Sequence, residues 1–408
     1  MLALTVSLVT RLWLATRQLR HVSAHRDHVP EHFAGRVSLP AHQKAADYTI
    51  ARVRLGFADL AVETGVLLAL TFGGGIAAAH AWSRELTVGP LWQDVALIVG
   101  VMLASSALAL PLAWYRTFVI EERFGFNRMT LRLWLIDLAK AAVVGAALGI
   151  PLLALVLWLM QRAGSFWWLY AWLAWVVFQI LMLALYPTVI APLFNKFKPL
   201  TDAGVKARVE ALLVRCEFTA KGLFVMDGSR RSSHGNAYFT GFGAAKRIVF
   251  FDTLLSRLQP DEVVAVLAHE VGHFKRRHVL KRLAWYGVSS LALLAVLAWL
   301  MSEPWFYAGL GVPVEPATQH EGIALLLFFL VLPVFLFLLA PLGSLYSRQH
   351  EFEADAFAAE TASASALVAA LVKLYEDNAS TLTPDPLYSA FYDSHPPAAA
   401  RIARLEAA

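Results

Sequence analysis

Long apolar segments constrain the fold of this chain more than any other feature. Ala141–Met160 contains no charged side chain and is as long as the roughly 20-residue stretch that a helix needs to cross a bilayer. Hydrophobic residues make up 58% of the chain and charged residues only 16%, against roughly 25% in soluble domains. A soluble core cannot bury this much apolar surface, so the sequence predicts an α-helical multi-pass membrane protein. About seven spans are predicted, at residues 1–15, 57–83, 93–115, 141–160, 166–194, 284–301 and 323–346.

Lysine and arginine are unevenly distributed among the connecting loops. The basic segments are 17–56, 116–135, 195–283 and the tail 347–408. The segments with at most one Lys or Arg are 84–92, 161–165 and 302–322. These two sets alternate, and cytoplasmic loops retain positive charge. The pattern predicts an N-terminus outside the cytoplasm, with residues 195–283 and the C-terminus inside it.

Composition excludes several classes of protein. The net charge of +5 reflects the loop bias and gives no reason to expect a nucleic-acid partner. The single Cys216 excludes an intrachain disulfide and a cysteine-rich metal site. Four regions are expected: a membrane region of about five spans, a segment with the charge density of a soluble domain, two further spans, and a polar C-terminal segment. Their boundaries are 1–194, 195–283, 284–346 and 347–408.

The sequence His269-Glu270-Val271-Gly272-His273 lies in the soluble segment. Histidines four residues apart share one face of a helix, where two imidazoles can bind one zinc ion. Glu270 follows the first histidine and can act as a general base, the arrangement found in zinc peptidases. Pro260 and Asp261 form a helix start signal upstream, and we expect the helix to span about 261–283 and to continue directly into the sixth span.

A catalytic zinc needs a third protein ligand, and residues just after the last predicted span supply candidates. Glu351 and Asp355 are four residues apart, so Glu351 can bind the metal while Asp355 holds a ligand imidazole from behind. On a helix, Glu353 points away from the face that Glu351 and Asp355 share, and we assign it no role. His350 is a rival ligand by its chemistry. His278 falls on the opposite face of the extended zinc helix, and we expect it to be a basic residue near lipid headgroups.

Two further polar residues precede and follow these candidates. Asn236 lies near the start of one of two β-rich stretches, residues 233–243 and 246–251, that flank a glycine-containing turn and predict a hairpin. Its edge strand can hold an extended peptide by main-chain hydrogen bonds, and Asn236 can bind substrate or shape the turn. His395 stands before two prolines in the tail, a rigid setting suited to stabilising an oxyanion or to a local structural role.

The chain resembles the integral-membrane CAAX prenyl protease 1 family, the type I prenyl endopeptidases. The matching segments, in order, are Ala41–Tyr48, Phe118–Asn127, Asn236–Gly241, His269–His273, Glu351–Asp355 and His395–Arg401. The resemblance implies one zinc per chain, bound by His269, His273 and Glu351, with Glu270 as catalytic base. It also implies that Asn236 and His395 line the active site and that Arg401 supports it.

The same resemblance implies about seven helices around a membrane chamber, with a cytoplasmic α+β zinc metalloprotease domain of the gluzincin type. The expected reaction is hydrolysis of a peptide bond near the C-terminus of CAAX-type or other membrane-associated substrates, which can be isoprenylated at a C-terminal Cys. We expect a monomer in the bilayer, in the inner membrane of a bacterium or the endoplasmic reticulum of a eukaryote. The alternatives are a quality-control zinc endopeptidase without prenyl specificity and a non-catalytic transporter or lipid-handling protein.

Overall fold

A computed structural model describes residues 1–240, 247–312 and 320–407. The α-helices within these ranges are α1 (Leu2–Ala24), α2 (Leu39–Leu70), α3 (Gly75–Arg84), α4 (Pro90–Tyr115), α5 (Leu131–Arg162), α6 (Trp167–Leu185), α7 (Ala191–Phe194), α8 (Ala203–Arg215), α9 (Asp252–Leu255), α10 (Pro260–Lys275), α11 (His278–Leu300), α12 (Pro304–Ala308), α13 (Glu321–Ala358), α14 (Ala364–Asp377), α15 (Pro386–Tyr392) and α16 (Ala398–Glu406). π-Helical turns lie at Arg116–Glu121, Tyr186–Ile190 and Ala359–Ser363, and 3-10 turns at Glu31–Phe33, Gly164–Phe166 and Gly228–Arg230. The strands are β1 (Phe197–Pro199), β2 (Gly222–Met226), β3 (Ala237–Thr240) and β4 (Arg247–Phe251).

Within the described ranges, five helical stretches are long and apolar enough to cross a membrane. They are Pro90–Glu121, Leu131–Arg162, Gly164–Phe194, His278–Leu300 and Glu321–Asp377. Helices α2 and α3, bent by 58° at the break between them, make a sixth if they count as one span. Only 11% of the most apolar stretch of α5 and 6% of that of α11 is buried inside the protein, so these helices present their apolar side chains to lipid.

The expected count is about seven spans, and among the described residues this measure finds five or six. Helix α1 contains the predicted first span, residues 1–15, and is long enough to cross a bilayer. It does not belong to the apolar set, because Arg11, Arg17 and Arg20 interrupt its hydrophobic residues.

The four strands form one sheet in the order β1-β2-β4-β3. Strands β2 and β4 pair in parallel at its centre, and β1 and β3 pair antiparallel at its two edges. In the register of the last pair, Ala237 lies opposite Phe250 and Thr240 opposite Arg247. The predicted antiparallel pairing is therefore confirmed, and β3 is an edge strand. The glycine-containing turn of that hairpin, residues 241–246, lies outside the described residues.

One hydrophobic core joins the sheet to α10, which precedes the last two spans, and to α14 and α16 of the C-terminal tail. Strand β4 contributes Phe250 and helix α10 contributes Leu267, both almost fully buried. Leu371 of α14 and Ile402 of α16 pack into the same core. Residues 195–283 and the C-terminal tail, separated in the sequence by two spans, therefore fold as one packed unit.

Helix α10 occupies the centre of this unit and is shorter than expected. It begins with Pro260 at its first position, behind a capping box between Gln259 and Glu262. It ends at Lys275, and Arg277 adopts a left-handed conformation with φ 58° before α11 begins. The expectation of one continuous helix over 261–283 is therefore wrong. Helix α13, by contrast, continues without a break from its membrane-spanning part through Glu351.

A cavity of about 880 Å³ lies between α1, α2, α10, α13 and the tail. Asp59 and Glu63 of α2, which the sequence places at the mouth of a span, both line its wall. Asp59 accepts a hydrogen bond from Arg116 at 2.6 Å, and Glu63 lies 3.5 Å from Arg11. The two carboxylates thus face a polar interior and not lipid, which avoids the cost of charge in hydrocarbon.

Candidate metal centre and active site

Helices α10 and α13 bring two imidazoles and one carboxylate together. His269 and His273, one turn apart on α10, have their Nε2 atoms 3.2 Å from each other. Glu351 of α13 places Oε1 3.4 Å from Nε2 of His273 and Oε2 3.6 Å from Nε2 of His269. The ligand atoms of these three residues all lie within 4.8 Å of one another. Of the residues that the structure describes, they form the one group of three His, Cys, Asp or Glu side chains with this convergence.

A glycine inside the His-Glu-x-x-His sequence allows the two helices to approach. A Cβ at Gly272 would lie 3.1 Å from Cα of Ala354 and 3.2 Å from its carbonyl oxygen. These are backbone atoms of α13, which cannot move aside as the end of a side chain can. Gly272 and the small, fully buried Ala354 therefore set the helix spacing that brings Glu351 to the histidines.

The three side chains fit a divalent cation. Oε2 of Glu351 is buried and has no well-aligned hydrogen bond, although leaving a buried polar atom unpaired is costly. Both Nε2 atoms face the carboxylate across gaps longer than a normal hydrogen bond. Two imidazole nitrogens and one carboxylate are ligands that a borderline metal such as zinc accepts, and a cation between them would satisfy all three.

Each histidine of the group is held from behind through its other ring nitrogen. Nδ1 of His269 lies 2.8 Å from Oδ1 of Asp355. Arg401 of α16 donates two hydrogen bonds to the same carboxylate, at 2.6 and 2.8 Å, in a buried bidentate pair. Its NH1 also lies 3.8 Å from Glu351. The C-terminal helix thus fixes Asp355, and Asp355 fixes the ring of His269.

The support of His273 is a pair of residues to which sequence reasoning gave no such role. Nδ1 of His273 lies 2.9 Å from Nδ1 of His278, and Nε2 of His278 lies 2.9 Å from Oε2 of Glu353. With His278 neutral and protonated on Nε2, this is a chain of two hydrogen bonds from His273 to a carboxylate.

The expected surroundings of His278 and Glu353 are therefore wrong. His278 is 1% exposed and does not face lipid headgroups, because the left-handed Arg277 breaks the helix and turns the chain back. Glu353, although it points away from the metal group, reaches His278. No residue pattern indicates this break, since an arginine rarely adopts a positive φ.

The rival ligand His350 lies outside the converging group. Its ring stacks on His278 with centroids 4.0 Å apart, and Tyr346 packs against its other side at 4.4 Å. His350 is buried and acts as packing behind the histidine pair.

Glu270 follows His269 on α10 and lines the cavity. Burial raises the pKa of its carboxyl, while the neighbouring His269 and His273 act in the opposite direction. A carboxylate with a raised pKa in a cavity has the properties of a general base.

His395 and Asn236 line the same cavity as Glu270 and Glu351. Nδ1 of His395 lies 2.7 Å from Oε2 of Glu351, and the side chain is 64% exposed, so it can contact a bound molecule. Asn236 precedes β3 and is also exposed. Its Oδ1 accepts a hydrogen bond from the main-chain N–H of Ala237 at 2.8 Å, which leaves the amide nitrogen for another partner.

A helical membrane bundle with a polar cavity and a two-histidine, one-glutamate group defines a membrane metallopeptidase. Comparisons with known proteins agree. Residues 18–196 match the family described as CAAX prenyl protease N-terminal, five membrane helices, and residues 199–408 match Peptidase family M48. The chain belongs to the M48 peptidases of the CAAX prenyl protease 1 type, and it is a membrane metalloendopeptidase acting on peptide or protein substrates.

Similar proteins occur in distant eukaryotes. A CAAX prenyl protease 1 homologue of Arabidopsis thaliana is 38% identical over 77% of this chain and 73% of its own length. The human CAAX prenyl protease 1 homologue is 32% identical over 97% and 92% of the two chains. The crystal structure of Ste24p from S. mikatae has a TM-score of 0.91 and 30% identity, covering 99% of this chain and 98% of its own.

Proposed function

We propose that His269, His273 and Glu351 hold one zinc ion, and that the protein cleaves a peptide bond near the C-terminus of prenylated CAAX-type proteins. The convergence of the three ligand atoms is the main observation in support. Ligands about 2.0–2.1 Å from a tetrahedral zinc lie about 3.3 Å from each other. The three separations here are 3.2, 3.4 and 3.6 Å, so small movements suffice to form the site.

Each residue around the metal has a separate role in the reaction. When bound, zinc supplies Lewis acidity, which polarises the scissile carbonyl and acidifies water. Glu270 removes the proton from the attacking water and then delivers it to the leaving amine. His395 donates a hydrogen bond to the developing oxyanion. Asn236 uses its free amide nitrogen to bind a substrate carbonyl.

The residues behind the metal group act as positioning residues. Asp355, fixed by Arg401, accepts a hydrogen bond from His269 and leaves Nε2 of that ring directed at the metal. Glu353 does the same for His273 through His278. Both pairs select the ring tautomer that offers a lone pair at Nε2.

The cavity and the sheet edge together favour an extended, membrane-associated peptide. Gly235, Asn236 and Ala237, at the start of edge strand β3, line the cavity beside the catalytic group. A peptide can therefore add to β3 as a further strand through main-chain hydrogen bonds. In this proposal the added strand pairs with residues 236–242, of which 241 and 242 lie outside the described residues.

The prenyl specificity and the cellular setting are parts of the same proposal. Similar proteins are named CAAX prenyl proteases, and apolar helices surround the cavity. The basic loops predict a catalytic side facing the cytoplasm, in the inner membrane of a bacterium or the endoplasmic reticulum of a eukaryote, and we propose a monomer. We keep the division into 1–194, 195–283, 284–346 and 347–408, with the second and fourth segments forming one catalytic unit.

Matched peptides test the proposed substrate. A farnesylated CAAX peptide and its unmodified counterpart are compared in liposomes containing the wild-type protein or Glu270→Gln. We expect a higher kcat/KM for the farnesylated peptide, since each buried CH₂ contributes about 0.8 kcal/mol, and a fall in turnover of about 10²–10⁴ with Glu270→Gln. Equal kcat/KM for the two peptides would favour a quality-control endopeptidase without prenyl specificity. Unchanged turnover in Glu270→Gln would contradict the proposed catalytic machinery itself.

A further inference from the structure

A second concave surface lies behind the active site and adjoins the substrate cavity, with which it shares Pro396 and Pro397. It is a groove of about 840 Å³. We call it the basic groove and define it by Arg276, Lys281, Arg348, Phe352 and Arg404. Leu345, Glu353 and the proline pair that follows His395 are among the other residues that line it.

The charge of the basic groove is strongly unbalanced. Four cationic side chains line it, and its one acidic residue is Glu353. That carboxylate lies 2.9 Å from His278 and 3.8 Å from Lys281, so it neutralises little of the remaining charge. The guanidinium of Arg348 binds neutral acceptors, the carbonyl oxygens of Ser389 and Asp393 and the Ser389 hydroxyl.

Two exposed cations of the groove, Arg276 and Arg404, are available to a ligand. Arg276 follows the last residue of α10 and is exposed. Arg404 of α16 is also exposed, with its guanidinium 4.7 Å from the ring of Phe352. Phe352 thus holds Arg404 by a cation–π contact that leaves the hydrogen-bond donors at its edge unblocked.

The cations of the basic groove favour an anionic ligand, and the position of the groove indicates which kind of anion binds there. Lys281 lies in the first turn of α11, where a candidate span begins. Leu345, exposed at 60%, belongs to the end of the apolar part of α13. A ligand here meets cations on one side and apolar surface on the other. Basic pockets between membrane helices at the interface bind the headgroups of anionic lipids.

We propose that the basic groove binds the phosphate of an anionic phospholipid, with the acyl chains lying along α11 and α13. Bound lipid also braces the active site from behind. Phe352 follows Glu351 in α13, and Pro396 and Pro397 follow His395. Residues of the groove are therefore direct chain neighbours of two residues of the catalytic group, and a headgroup between them restrains both segments.

Lipid titration of the full-length protein tests the binding. Delipidated protein is titrated with phosphatidylglycerol, with phosphatidylcholine and with soluble glycerol phosphate, and bound lipid is counted by native mass spectrometry. The test variant is Arg276→Gln with Arg404→Gln. The control is Arg128→Gln with Arg132→Gln, which removes two exposed charges from the basic segment 116–135.

We expect phosphatidylglycerol to bind the wild type and the control alike, and to bind the test variant about 10- to 25-fold more weakly, since each basic residue near an anionic surface contributes roughly fivefold. Equal weakening in the control, or equal binding of phosphatidylcholine, would overturn the proposal. Glycerol phosphate binding as tightly as the lipid would replace it with a small-anion site. Thermal unfolding of both variants shows whether they are folded.

Turnover in nanodiscs tests the bracing effect. We expect kcat of the wild type and the control to rise when phosphatidylglycerol is added to phosphatidylcholine, and kcat of the test variant to stay at its value in phosphatidylcholine. A rise of the same size in the test variant would overturn the bracing effect, whatever the peptide substrate. The proposed peptidase function is separately checked by the activity of all three proteins in phosphatidylcholine alone.

Discussion

The two ends of helix α13 both meet ionisable side chains, yet they do so in different ways. At its C-terminal part, Glu351 and Asp355 face the histidines of α10. At its N-terminus, Gly322 packs against Asp94 of α4, a residue that is 1% exposed. About 45 Å of helix separates the two ends, at 1.5 Å per residue.

The polar side chains at the N-terminal end of α13 largely satisfy one another's hydrogen bonds and charges. Asp94 accepts a hydrogen bond from Gln161 at 3.2 Å and lies 3.5 Å from the guanidinium of Arg84. Gln93 accepts a further hydrogen bond from Arg84 at 2.9 Å. Asp94 does not line the substrate cavity. This cluster ties α3, α4, α5 and α13 together.

A buried carboxylate oxygen without a well-aligned hydrogen bond occurs at each end, so it does not by itself mark a functional site. Oε2 of Glu321 is buried without a hydrogen bond, and Oε2 of Glu351 has no well-aligned one although it lies 2.7 Å from Nδ1 of His395. Of these two carboxylates, however, only Glu351 has two further ligand atoms converging on it, and only Glu351 borders the cavity. Convergence and access distinguish a metal site from a structural polar cluster.

Glu270→Gln should give the largest effect and should affect catalysis alone. The amide cannot accept the proton from water, so we expect kcat to fall by about 10²–10⁴ with metal content and thermal stability unchanged. Single-turnover kinetics with a membrane-bound peptide measure the loss. Activity within about tenfold of the wild type would mean that another group is the base.

Asp94→Ala should do the reverse, lowering stability and sparing catalysis. Removing one partner of a fully buried ion pair costs about 3–5 kcal/mol. Arg84 is 30% exposed, so we expect a smaller loss of about 2–3 kcal/mol. Thermal unfolding in detergent measures it, with Asp94→Asn as the control that keeps the shape of the side chain. A loss of kcat per folded molecule would show that the far end is coupled to the active site.

His278→Ala should weaken the metal site without abolishing it. His273 then loses the acceptor that orients its ring, and we expect metal affinity to fall by about 10–100-fold. Competition with a chelator gives the affinity, and activity at saturating metal should recover most of the wild-type value. His278→Gln, which keeps an acceptor near Nδ1 of His273, should lose less. An unaltered affinity in both variants would remove His278 and Glu353 from the metal site.

Two glycine substitutions should show the smallest effects. They test whether the metal group and the Asp94 cluster, at the two ends of α13, are independent of each other. A Cβ at Gly272 meets the backbone of Ala354, and one at Gly322 meets Cβ and Cγ of Asp94 at 2.8 Å. Overpacking of this kind costs about 1–3 kcal/mol. We expect Gly272→Ala to lower metal affinity as well as stability, and Gly322→Ala to lower stability only. Equal effects on metal affinity would contradict the separation of the two clusters.

The metal group was predictable because its residues have regular spacing within helices. His269 and His273 are four apart, as are Glu351 and Asp355, and each pair shares a face on an uninterrupted stretch of helix. The β3–β4 pairing was predictable for a similar reason, since two β-rich stretches flank a short connection.

Other features of the fold and the site were not predictable, because they depend on local backbone geometry or on distant partners that residue type does not specify. His278 joins the site because Arg277 adopts φ 58°, an unusual conformation for an arginine. The break between α2 and α3 falls at Thr71–Gly74, where Gly74 has φ 77°, inside a stretch that hydropathy alone reads as one span. The course of α1 depends on partners far along the chain, such as Asp385, which pairs with Arg17 at 2.9 Å.

Metal content tests the central claim, that His269, His273 and Glu351 form the catalytic metal site. Elemental analysis of purified wild type, Glu351→Ala and His350→Ala compares the third ligand with its neighbour in the sequence. The account predicts one zinc per chain in the wild type and in His350→Ala, and a loss of both zinc and peptidase activity in Glu351→Ala. A full complement of zinc in Glu351→Ala, or its loss in His350→Ala alone, would contradict the account.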